Sequence, residues 1–135
     1  MPLAKESLGY PVVVASGTTG IVTSVTSSKP VYVRSLIIHN VSVGSTSSGA
    51  SQTFQVYMVP NSSGSVGTAT EGHRIARGSL ISDDTYFFEL QYPITLKNNG
   101  DSVQVFNEGK FAWTLSGIAT AWNPINVLAL GDKEQ

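Results

Sequence analysis

The chain has 135 residues, and 41% of them are hydrophobic, which is enough for one domain with a real core and rules out a disordered chain. Charged residues make up 13% and the net charge is −1, about half of the usual ~25% charged content; such a surface offers no basic patch for phosphates, which excludes nucleic acid as the main partner. With no cysteine there is no disulfide, thiol catalysis or cysteine-held metal, and no run approaches the ~18 apolar residues of a membrane helix or the apolar core of a signal peptide, so cytoplasmic synthesis without membrane contact is expected.

Residues 1–10 are polar and without period, and read as an N-terminal arm. Val12-Val13-Val14 is a short apolar strand, residues 16–20 a turn cluster, and residues 21–26 a further β-type run stopped before Pro30. Residues 31–41 form a long strand rich in β-branched and aromatic side chains. Phe54, Val56 and Met58 recur at period two in a second strand closed by Pro60. The Ser/Gly/Thr-rich stretch between them, residues 42–52, and residues 61–72 are read as flexible surface loops that tolerate insertion.

Residues 73–81 are either a short helix or, favoured by Gly78, an edge strand. Residues 85–90 are apolar on both faces and read as a central or covered strand. Asn98-Asn99-Gly100-Asp101 carries the strongest hairpin signal, because Asn and Gly tolerate positive φ. Residues 102–106 alternate, residues 107–110 read as a turn, and residues 111–119 as one long strand with Phe111, Trp113 and Leu115 on one face. No window holds a helical period. The expected fold is all-β: a single antiparallel β-sandwich or jelly roll over residues 11–122, with extended termini, the arm 1–10 and a C-terminal tail 123–135. Its expected core is Leu36, Ile38, Phe54, Val56, Met58, Val103, Val105, Trp113 and Leu115.

No catalytic, cofactor or metal site emerges. His39 and His73 have no nucleophile or ligand spacing around them. Asp83-Asp84, even with Asp101, belongs to no known cation loop and reads as a turn that binds backbone amides. The candidate residues are therefore partner-binding ones. Arg74 and Arg77 either meet a partner or guard an exposed edge. Trp122 is either an anchor to a partner or a lid over the open end of the sandwich. The apolar positions Ile125, Val127, Leu128 and Leu130 follow a sandwich already complete, so they either reach a second surface or add one more strand.

The strand of residues 31–40, followed by Phe54-Gln55-Val56-Tyr57-Met58-Val59-Pro60, resembles a pattern of small virion proteins of tailed bacteriophages. Thr85-Tyr86, Pro93-Ile94-Thr95-Leu96 and Gly100-Asp101-Ser102-Val103-Gln104-Val105 resemble the same group. The resemblance spans residues 30–120 and implies a non-enzymatic structural protein of the virion. It implies a capsid decoration (cement) protein bound to the major capsid protein or other virion proteins, with no cofactor, as a homo-oligomer, with a trimer the expected form. The alternative is a tail or fibre component or a glycan-binding module using Trp122, Tyr57 and Tyr92.

Overall fold

The computed structural model describes residues 3–15, 17–26, 29–41, 51–81, 84–114, 117–121 and 124–134. Its strands are β1 (Leu3–Ser7), β2 (Val12–Val14), β3 (Thr19–Ser24), β4 (Val31–Asn40), β5 (Ser51–Val59), β6 (Arg74–Ile81), β7 (Thr85–Leu96), β8 (Ser102–Thr114), β9 (Gly117–Ala121) and β10 (Ile125–Glu134). A 3-10 turn, Glu71–His73, leads into β6. Sheet A runs β1-β10-β4-β7, with β2 also on β10, and sheet B runs β3-β8-β5-β6, with β9 on the far end of β8.

The winding follows from the pairings. β5 pairs with β6, β4 with β7, β3 with β8 and β2 with β10, all antiparallel. The chain is thus one long hairpin, β2 to β5 going out and β6 to β10 coming back, rolled up so that β10 meets β4 and β8 meets β5. That is a jelly roll, in which all but the outermost strands are paired on both sides. Alternating side chains fill the space between the sheets: Val33, Leu36 and Ile38 from β4, Phe54 and Val56 from β5, Val103 and Val105 from β8, Ile125 and Val127 from β10.

Both termini belong to this sandwich. β1 pairs along β10, and β10 lies between β1 and β4, so the expected arm and tail are strands, not extensions. The polar β1 needs no apolar side chains for this, because its backbone supplies the ladder bonds, and a short polar strand suits a sheet edge. Ile125 and Val127 are fully buried in the core, which withdraws them from any partner surface and settles the alternative in favour of one more strand.

Buried amides tie the layers together. Gln52 Nε2 donates to Asn107 Oδ1 (3.0 Å), and Asn107 Nδ2 donates to the Val14 carbonyl (3.1 Å), linking β5, β8 and β2. The turn expected at residues 107–110 is therefore part of β8, where Asn107 is a buried connector and the ladder shifts register toward Gly109. The long strand expected over residues 111–119 is instead a hairpin between the end of β8 and β9. The side chain of Trp113 and the whole of Leu115 fall outside the described residues.

The Asn98–Asp101 turn is present but joins no hairpin. Asp101 N–H donates to the Asn98 carbonyl (2.9 Å), and Gly100 has φ +97°. Asn99 keeps negative φ, so the turn is of type II, not the type I′ that sheet hairpins favour. It passes the chain from sheet A to sheet B.

Residues 61–70 also differ from expectation. The Asp101 carboxylate accepts hydrogen bonds from Asn61 N–H (2.9 Å), Asn61 Nδ2 (3.1 Å) and Asn98 N–H (3.0 Å). Gln104 Nε2 donates to the Gly67 carbonyl (3.0 Å). So anchored, the segment covers one end of the outer face of sheet B and buries Tyr57, Val59, Ser102 and Gln104. Met58, pointing the other way between Tyr57 and Val59, is left 38% exposed and is not a core residue. The other loop, 42–50, falls outside the described residues.

Candidate interaction surface

Three neighbouring strands place apolar side chains on the outer face of sheet A. The registers Leu128↔Ile37 and Ile37↔Phe87 put these residues in one row across β10, β4 and β7. The adjoining row reads Val13, Asn126, His39 and Thr85, and the one on the other side Leu130, Ser35 and Glu89. Phe87 is 65% exposed and Val13 66% exposed, with Ile37, Leu128 and Leu130 half-buried between them. Of the apolar tail positions expected to meet a partner, Leu128 and Leu130 therefore do face outward, Leu128 within the apolar row and Leu130 beside it in a row with Ser35 and Glu89.

Phe87 and Tyr86 were not legible as surface residues. β7 is apolar on both faces, a pattern that predicts a central or covered strand, yet among the described strands β7 is the edge of sheet A. An edge strand with an apolar outer side leaves those side chains in water. β7 is also interrupted. Ser35 pairs with Glu89 and Val33 with Ile94, so residues 90–93 of β7 stand opposite Arg34 alone as a bulge, in which Tyr92 is 78% exposed. At the same level β10 skips Arg34 between Leu130 and Gly131, and Arg34 Nε donates to the buried Asp132 carboxylate.

Arg74 and Arg77 come together on the outer face of sheet B, on β6, which is an edge strand as expected. Arg77 grips Glu108 of β8 with Nε and Nη2, both at 3.1 Å, in a two-pronged pair. Gln55 donates to Glu108, Tyr57 donates to Gln55, and Arg74 Nη1 donates to Gln55 Oε1 (3.2 Å). The bond from Arg77 holds the Glu108 carboxyl below the usual range against the upward push of burial, with Gln55 adding to it, and the same pair raises the Arg77 pKa. Asp101 is also lowered: burial pushes it up, but the amides of Asn98 and Asn61 outweigh that.

The remaining candidates are local. His39 Nδ1 lies 2.9 Å from Thr85 Oγ1 across β4 and β7, while His73 bonds to Thr70 in the 3-10 turn, so the histidines are not brought together. Asp84 accepts from Thr85 N–H, as a turn aspartate does. Among the described residues no group of three or more His, Asp or Glu side chains is placed to hold a metal. Tyr57 is buried and unavailable to a glycan; Trp122 lies outside the described residues.

No protein-family model matches the chain, and no curated protein does. Among solved structures, it overlaps a chain of the T13 particle of infectious bursal disease virus at 11% identity and TM-score 0.41, covering 98% of this chain and 36% of that one. A chain of the nora virus structure gives 12% identity and TM-score 0.41, with coverage of 98% and 57%. The Gx strain of infectious bursal disease virus gives 8% identity and TM-score 0.41, with coverage of 99% and 32%. The chain thus spans between about a third and just over half of those proteins, and overlap at this level assigns neither a family nor a role.

Proposed function

We propose that this chain is a non-enzymatic structural protein of a virion, and specifically a decoration protein that binds the head shell of a tailed phage. The observation that carries the reading is the apolar row Leu128–Ile37–Phe87 with Val13, displayed on the outside of a rigid jelly roll. An apolar sheet face in water is unusual on a monomer that works alone and suits packing against other protein. The 13% charge content fits dense packing, and the resemblance over residues 30–120 points to a tailed-phage virion as the setting. Tyr92, exposed on the β7 bulge, favours the second reading, a tail or fibre module with a sugar ligand.

Particles stripped of the protein, or assembled without it, provide the test. Added protein should co-sediment with them and raise the temperature at which they release their genome. Val13→Glu and Phe87→Glu should each weaken binding at least about tenfold, about 1.4 kcal/mol, with the circular dichroism spectrum unchanged. Binding unaffected by both substitutions would remove the apolar face from the account.

A further inference from the structure

Among the described residues, the side of the sandwich between β6 and β7 carries two sheet edges with no further strand on them, one from each sheet. Both lie on one side of the core: the Phe54 ring of β5 packs over Gly78 of β6, where an added Cβ would come within 2.8 Å of Cζ, and meets the Tyr86 ring of β7 edge-on at 5.5 Å. Tyr86, although on the inner face, is 42% exposed there. The two edges run in opposite directions, since Asn40 binds both the Leu80 carbonyl near the end of β6 and the Asp84 carbonyl at the start of β7.

Their charges are opposite. β6 brings Arg74 and Arg77, exposed on the outer face of sheet B; β7 brings Glu89, exposed on the outer face of sheet A and in no ion pair among the described residues. Counting back along β6 from Gly78 and forward along β7 from Tyr86 puts Glu89 at the level between Arg74 and Arg77.

We propose that this side is a two-fold interface between two copies of the chain, in which β6 of each copy lies antiparallel to β7 of the other. A two-fold axis parallel to the strands keeps every residue at its level and turns sheet A of one copy into the continuation of sheet B of the other. Glu89 then stands between Arg74 and Arg77 of the opposite copy, on the same face, and each copy makes the same contact. Edge amides and carbonyls left unpaired in the protomer are paired across the interface. The other two-fold, perpendicular to the strands, brings arginine edge to arginine edge and glutamate edge to glutamate edge, and charge selects against it. The axis sends the two apolar outer faces of sheet A in opposite directions, so the dimer forms without the shell and stands or falls separately from the virion reading.

The free full-length protein is tested by light scattering coupled to gel filtration. The wild type should elute at twice the 14.3 kDa mass of one chain. Glu89→Arg alone and Arg74→Glu alone should each shift it to the single-chain mass, with unchanged circular dichroism and melting temperature. An equimolar mixture of the two variants should recover the doubled mass, because one contact is then native and the other is charge-reversed on both sides. A wild type that is monomeric or trimeric, dimers that survive both single substitutions, or a mixture of folded variants that stays monomeric would each overturn the proposal.

Discussion

Among the described residues Phe54 is the largest side chain held wholly inside the sandwich, and its ring lies over Gly78 because glycine alone leaves the space. Phe54→Ala should cost about 3–5 kcal/mol by removing a buried ring the two sheets cannot close over. Gly78→Ala should cost about 1–3 kcal/mol through overpacking, and less in a Phe54→Leu background; chemical denaturation of the four proteins measures that coupling. Acid acts through two carboxyls. Asp101 and Glu108 both have lowered pKa values when folded, so each adds stability above its unfolded pKa and loses it as pH falls through its folded pKa. The unfolding midpoint should therefore drop below about pH 4, and Asp101→Asn with Glu108→Gln should flatten that decline. An acid limb identical in the double variant would contradict both roles. The alternation in residues 31–58 announced Phe54, Val56, Leu36 and Ile38 as core. It does not announce Met58 as exposed, because alternation gives the face a side chain takes and not whether anything covers that face at its end.

At the level of elements, most strands are readable in the sequence and their partners are not. Residues 125–130 are apolar except for Asn126, a pattern equally suited to a sheet interior and to an exposed tail; only pairing with β1, β2 and β4 decides. Deleting residues 125–135 should accordingly abolish folding, seen as loss of the β-sheet circular dichroism signal, since it removes a central strand and leaves β4 with one neighbour. A truncated chain that stays folded would refute the topology. Residues 61–70 are rich in Ser, Gly and Thr, and composition reads them as loose. Their order comes from Asp101 and Gln104, whose roles cannot be seen without the fold. An insertion after Gly67 should lower the melting temperature, because it displaces the cover from Tyr57 and Val59. β7 was misjudged for the same kind of reason: apolarity on both faces says that a strand avoids water, not which protein surface shields it.

For the whole molecule, the jelly roll places two sorts of surface where a partner can reach them. One is the apolar outer face of sheet A, the other the open side with its two unpaired, oppositely charged edges. Low charge and the period-two runs make the fold class legible from residues alone. The surfaces were half legible: Arg74, Arg77, Leu128 and Leu130 were marked, while Val13, Ile37, Phe87 and Glu89 needed the registers that bring them together. The most direct measurement of the central claim is an electron-microscopy map of the intact particle that encodes this chain. The account places the jelly roll over the head shell, with the outer face of sheet A, Phe87 and Val13 included, against the major capsid protein. Density for the chain confined to the tail or fibres, or shell-bound density in which no copy turns its sheet A face to the shell, would contradict it.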